Sequence, residues 1–186
     1  METSEIITQT KWEIDLSHSE IGFKVKHLMI ANIKGVFKEF GANIYTHEAD
    51  FMTSEIDFWI NPASIDTGDK NRDEHLKGSE FFDVEKYKQI SFIGNSYPNA
   101  ANDGYELYGE LTIKNITKQI KLNIVYGGLM KDPDGIEKAG FSVTGLINRK
   151  DWGLNWNTIL ETGGLLLSDG VRIDCEVELT KEENTF

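Results

Sequence analysis

The chain is poor in the residues that lock or punctuate a fold. Of its 186 residues, one is cysteine and three are proline. With Cys175 alone no intrachain disulfide can form, so the fold must close by packing and hydrogen bonding. That cysteine usage suits the cytoplasm and leaves other compartments open. No stretch approaches the roughly 20 apolar residues of a membrane-spanning helix, so no integral membrane segment is expected. Basic residues are also scarce: 19 Lys and Arg stand against 31 Asp and Glu, a net charge of −12. Such a balance repels phosphate backbones and anionic headgroups, which argues against nucleic acid and against electrostatic membrane binding. The four histidines, at 18, 27, 47 and 75, show no HxH or HxxxH spacing, and GxGxxG, P-loop and GxSxG motifs are missing. Neither a metal nor a cofactor is therefore expected. The opening METSEIITQTKWEID has no basic n-region and no apolar h-region. It does not read as a secretory leader, giving an expected cytoplasmic location, or a periplasmic one if a leader has been removed.

What the chain does have is period-two alternation, the mark of strands with one face on an apolar interior. Ile21, Phe23, Val25 and His27 share one face, with Lys24 and Lys26 on the other. In GVFKEFGANIY, Val36, Phe40, Ala42 and Ile44 are mixed with Phe37 on the opposite parity, which predicts a bulge or bend. Ile56, Phe58 and Ile60 alternate up to Pro62, which ends central pairing. Further strands carry Ile90 and Phe92, then Tyr105 to Ile113, then Ile120 to Tyr126, joined by a tight connection at Asn115–Thr117. Pro133 and Gly135 form a hairpin loop. Phe141, Val143 and Ile147 follow, and the last strand covers about Val171 to Leu179, with Cys175 on its apolar side as a packing residue. No composition shift or linker divides the chain, so residues 1–186 are expected to form one domain. About eight antiparallel strands predict an all-β fold, a closed up-and-down barrel, with a two-sheet sandwich as the alternative.

The stretch from Asn71 to Ile93 is too elaborate for a hairpin. It predicts a short helix over about Asp69 to Lys77, with Asp66 and Thr67 as the capping signal, and a lid at one barrel mouth. Of the adjacent Phe81 and Phe82, an extended backbone would turn one inward to cover a cavity. Whether that interior is filled or hollow decides the function class. Gly109 and Gly145 lie on the inward parity; they either bend strands to close the barrel or clear volume along a tunnel. Phe23, Val25, Phe40, Phe58, Ile60, Phe92, Leu107, Leu111, Phe141 and Val143 are the expected walls. His27 is either a core histidine or a wall contact. Asn71, Arg72, His75 and Arg149 could greet a ligand headgroup. Arg149 could equally pair with Asp151 or Asp174, and His75 could lie on a solvated helix face.

Seven motifs in order carry a resemblance: W-x-I-D-x-x-H-S-x-I-x-F at Trp12–Phe23 with Lys26-His27, G-x-F-x-x-F at Gly35–Phe40, S-I-D-T at Ser64–Thr67, R-D-x-H-L at Arg72–Leu76, F-F-D at Phe81–Asp83, G-x-L-T-I at Gly109–Ile113 and R-x-D-W-G at Arg149–Gly153. From about Lys11 to Leu179 the chain resembles the YceI-like family of bacterial lipid-binding proteins. The resemblance implies a lipocalin-like, antiparallel eight-stranded barrel with a short helical insert. Its apolar channel would hold a polyisoprenoid, a quinone tail, or a fatty acid or amide, and a homodimer is plausible. Lys88 stands where the family tends to have proline. The resemblance brings no catalytic constellation with it.

Three functions remain in play. The leading expectation is non-enzymatic binding, carriage or sequestration of a long apolar lipid. The second is an enzyme on a small hydrophobic substrate, with His75 or His27 as base near Asp66 or Asp73, which requires a histidine and a carboxylate in contact inside a water-excluding pocket. The third is an interaction module with a packed interior.

Overall fold

A computed structural model of the chain describes residues 9–47, 50–99, 101, 104–164 and 166–182. Residues 1–8, part of the opening segment read for a leader, lie outside them. Eleven strands form one antiparallel sheet: β1 (Gln9–Ile14), β2 (Glu20–His27), β3 (Ala31–Phe37), β4 (Phe40–His47), β5 (Asp50–Ile60), β6 (Ile65–Asp66), β7 (Ile90–Pro98), β8 (Tyr105–Ile113), β9 (Ile116–Lys131), β10 (Glu137–Asn148) and β11 (Leu167–Lys181). The pairing runs β1–β4–β5–β7–β8–β9–β10–β11 and returns to β1, so eight strands close a barrel and the sandwich alternative is excluded. β2 also pairs with β11, β3 with β2, and β6 with β3. The extra three segments are thus continuations: β1 with β2, β3 with β4, and β5 with β6 each form one interrupted barrel strand.

Each interruption has a polar group that satisfies the backbone it frees. Between β1 and β2 the Asp15 carboxylate accepts from the Ser17 amide at 3.0 Å and the Ser17 hydroxyl at 2.7 Å. Between β3 and β4, the amides of Lys38 and Glu39 donate to the Ser64 hydroxyl at 3.1 and 2.9 Å. Ser64 itself sits in the single-turn break between β5 and β6, so one gap supplies the partner for the other. This is the bend expected from the mixed parity around Phe37. The residues on either side of it, Phe37 and Phe40, both end up buried, while Val36 faces outward.

The helix, α1 (Lys70–Lys77), is capped two to three residues later than the Asp66–Thr67 signal implied. Its N-cap is Asp69, whose carboxylate accepts from the Asn71 and Arg72 amides. Asp66 instead pairs with Lys38 and accepts from the Gly68 amide.

Two aromatic anchors set the ends. At one end Trp12 is fully buried, packs on Phe51 with ring centroids 4.9 Å apart, and donates to Thr46 Oγ1 at 2.9 Å. Phe51 in turn meets Phe141 at 5.0 Å, and Tyr126 completes the stack. At the other end the 3-10 turn Arg149–Trp152 tucks Trp152 under the sheet, its indole N–H donating to the Leu111 carbonyl at 3.0 Å. Gly153 ends that turn with φ of 73°, a conformation that favours glycine.

Candidate functional site

The barrel is hollow. A cavity of about 610 Å³ runs inside it, within the range of roughly 300–1,000 Å³ typical of small-molecule sites. Phe23, Val25, Phe58, Ile60, Phe92, Leu107, Leu111, Phe141 and Val143 line it as expected. Phe40 does not. It is buried in the core, and the wall position belongs to Phe37, because the β3–β4 break turns both rings to the same side of the sheet.

The glycines resolve in a third way. A Cβ on Gly94 or Gly109 would strike the facing backbone, at the Tyr108 and Ile93 carbonyls, and then the Phe92 ring; one on Gly145 would strike Leu122, and one on Gly35 would strike Phe23. They neither open the tunnel nor merely bend strands. They let β7 and β8 approach closely at Gly94 and Gly109 and leave room for the side chains of Phe92, Leu122 and Phe23.

The mouth is built from the 61–89 connection and the segment between β10 and β11. Phe81 and Phe82 both line the cavity, which corrects the expectation of one in and one out. They lie in consecutive turns rather than an extended strand: the Phe81 amide donates to Gly78 O and the Phe82 amide to Leu76 O. Phe81 packs against His75 and Trp156 at 5.2 and 5.4 Å, and Phe82 meets Phe37 edge-on at 6.0 Å. Asn71, Arg72, His75 and His27 reach the same mouth. Arg72 is held by Thr67, its Nε donating to Oγ1 at 2.7 Å and Nη2 to the carbonyl at 2.8 Å. His75 lines the mouth while its side chain stays 39% exposed, with Nε2 2.9 Å from the exposed Glu80.

Arg149 also lines the cavity; its Nε and Nη1 bond the backbone, while Nη2 is buried without a hydrogen bond. Nε donates to Ser168 O at 3.0 Å, and Nη1 donates to Leu154 O at 2.5 Å and Trp156 O at 2.8 Å. The carboxylate nearest it is Asp169 at 3.8 Å, not Asp151 or Asp174. Burial draws its pKa down and Asp169 opposes the shift. Arg149 thus clamps the β10–β11 connection over the mouth.

The geometry required for general-base chemistry is not met. Asp66 is turned to Lys38, and buried Asp73 accepts from the Thr67 amide and hydroxyl at 2.9 and 2.6 Å. The carboxylate that does reach His75, Glu80, is water-exposed, which is the opposite of a water-excluding site. Asp15, His18 and Glu178 gather close enough to share an ion. The Lys138 ammonium stands among them, 2.7 Å from Asp15 and 3.5 Å from Glu178, and supplies the positive charge itself. Cys175 lines the cavity too, with burial pushing its thiol up to about 11, so it stays a neutral, inert wall group.

Sequence reasoning missed the closed end. Phe51 lines the cavity from the wrong parity for its strand, because the chain bulges between Phe51 and Ser54. The Phe51 carbonyl freed by that bulge accepts from the Ser54 hydroxyl at 3.0 Å and from Ser96 Oγ. Both serines line the cavity yet have their hydroxyls turned to the backbone. Trp156 was missed because nothing in its local pattern marks it. Its place over the mouth depends on the Arg149 clamp.

Comparison with known proteins places this architecture. The YceI-like domain matches residues 12–179. A UPF0312 protein of Staphylococcus aureus (strain MSSA476) is 35% identical over 175 residues, covering 94% of this chain and 99% of its own. A YCEI protein of Campylobacter jejuni, known as a crystal that forms large solvent channels, shares 33% identity. It superposes with a TM-score of 0.71 over 98% of this chain and 100% of its own. A polyisoprenoid-binding domain from Saccharophagus degradans has the same fold, with TM-score 0.63 and 16% identity over 92% of this chain and 98% of its own. The chain belongs to the YceI-like family.

Proposed function

We propose that this protein binds a long apolar chain in its barrel and carries or sequesters it without altering it. One observation carries the reading: the cavity is walled almost throughout by aliphatic and aromatic side chains, and its arginines and histidines are gathered at one end. At the closed end the two serine hydroxyls are already turned to the Phe51 carbonyl. Asn71, Arg72 and His75 stand at the mouth. A polyisoprenoid, quinone tail or fatty acyl chain would therefore enter tail first, with any polar head beside the helix. The polyisoprenoid-binding description of the Saccharophagus domain supports that class of ligand. Burial gains about 0.8 kcal/mol per methylene, so roughly ten methylenes supply on the order of 8 kcal/mol, enough for about micromolar binding without a polar anchor.

Native mass spectrometry and organic extraction of the purified protein test this directly. A co-purifying lipid, or stoichiometric uptake of a fluorescent fatty acid by the empty protein, is the expected result. Several preparations that hold no lipid and take up no probe would sink the reading. Phe58→Asp and Phe141→Asp should each abolish uptake while circular dichroism still reports a folded barrel.

A further inference from the structure

The hairpin joining β2 to β3 breaks two local rules at once. Leu28 and Met29 both hold positive φ, 53° and 59°, in a turn that favours asparagine and glycine. Their side chains, with Ile30, are also left in water: Met29 is 58% and Ile30 84% exposed. The β8–β9 turn at the same end of the barrel has the same backbone at Lys114 and Asn115, with φ of 51° and 61°, yet uses polar residues. The fold therefore does not require an oily tip. Elsewhere among the described residues exposed apolar side chains come singly or, on β9, as the pairs Val125–Tyr126 and Leu129–Met130. Here three run consecutively, and a second apolar strand of chain lies beside them. The Leu28 amide donates to Leu166 O at 2.8 Å, the Leu166 amide to Thr158 O at 3.0 Å, and the adjacent Ile159 is 77% exposed.

Behind the tip the outer face is basic. Arg172, Lys24 and Lys34 are successive cross-strand neighbours on β11, β2 and β3, and Lys26 lies two residues before Leu28. The acid among them, Asp174, pairs with Lys24, and the positive fields of Arg172 and Lys34 add to that bond in holding its carboxyl below the usual range. Two residues of strand span about 7 Å, which sets the Lys26 ammonium at headgroup depth when the tip is immersed in the acyl boundary. His27, next to Leu28, lines the cavity mouth.

We propose that Leu28, Met29, Ile30 and Ile159 form a docking tip for an anionic lipid bilayer, with Lys26, Lys34 and Arg172 engaging its headgroups. The net charge of −12 does not forbid this. Field strength beyond about 8 Å is screened at physiological salt, and the acidic loop at Asp132–Glu137 is a β10 length away, roughly 35 Å. Near the tip, Glu74, Glu80 and Asp169 are paired with Lys77, His75 and Lys150. Asp151 and Glu161 have no basic partner among the described residues, and they set an upper limit on the attraction. The docking is independent of what the cavity holds, but it would bring the mouth to the source or destination of a lipid.

Flotation of the full chain with phosphatidylcholine vesicles, with and without about one-third phosphatidylglycerol, tests it. Binding should favour the anionic vesicles and weaken as salt rises. Ile30→Asp should weaken vesicle affinity on the order of tenfold, and Lys26→Glu combined with Lys34→Glu by at least about 25-fold, taking roughly fivefold per basic side chain. Leu28→Asn with Met29→Gly should lower vesicle binding while raising Tm, a combination that mere loss of folding does not produce. Uptake of an apolar probe should be unchanged in all of these variants, so a failure of docking and a failure of cavity binding are read separately. No flotation, or equal flotation of wild type and variants, overturns the proposal. So does a wild-type dimer that Ile30→Asp splits in the absence of vesicle affinity, which would assign the tip to a second copy of the chain.

Discussion

Asp15 occupies the break between β1 and β2 with its side chain only 14% exposed, and accepts from Lys138 Nζ at 2.7 Å. That bond, ahead of the Ser17 hydroxyl, holds its carboxyl well below the usual range, and Lys138 is raised in return. A folded pKa below the unfolded value of about 3.9 gives a contribution present above that value and lost as pH falls through the folded one. Asp15→Asn should therefore lower stability at neutral pH by about 1–3 kcal/mol. It should also flatten the loss of Tm below about pH 4; an unchanged acid limb would refute the assignment. The neighbouring wall residue Cys175 makes a second prediction at this scale. Its buried thiol should resist a thiol reagent in the folded protein at pH 8 and react only on denaturation.

Among elements, Ser64 is the test of the interrupted-strand architecture. Ser64→Ala leaves the Glu39 amide without its acceptor and the Lys38 amide with only the Ser64 carbonyl at 3.2 Å, and thermal melts should show a loss of about 1–3 kcal/mol. If Tm holds, water replaces the hydroxyl and the coupling of the two breaks is incidental. The same element explains what was legible in the chain. Period-two alternation located the walls wherever a strand ran without interruption, as at Phe58 and Ile60 or Phe141 and Val143. It failed where a break shifts parity: Phe40 was taken for a wall in place of Phe37, and Phe51 was not seen. Alternation counts residues, whereas facing depends on how many of them a bulge removes from the ladder. The mouth was partly legible, since α1 and the aromatic pair stood out as an insert. Arg149 was legible as a mouth residue, but its bonds to the carbonyls of Leu154, Trp156 and Ser168 are ones that no side-chain pattern reveals.

For the whole molecule, an eight-stranded barrel is at the boundary between a core filled by its own side chains and one that needs a guest. This chain takes the second course: glycines leave room for Phe92, Leu122 and Phe23 beside the sheet, and Trp12, Phe51 and Phe141 close one end. Apolar surface that a packed core would cover is left to a ligand, so occupancy and stability are linked. A ligand at about 100 times its Kd adds roughly 2.7 kcal/mol, which for a chain of this size corresponds to roughly 5–10 °C in Tm. Protein stripped on a hydrophobic resin should melt lower by that order and recover when a long-chain fatty acid or polyprenol is returned. Phe58→Asp should remove the recovery, because a charge in the wall cannot be desolvated by a hydrocarbon tail. A stripped protein whose Tm does not respond to any apolar chain would mean the hollow is stable when empty, and ligand binding would then have to be sought outside the barrel.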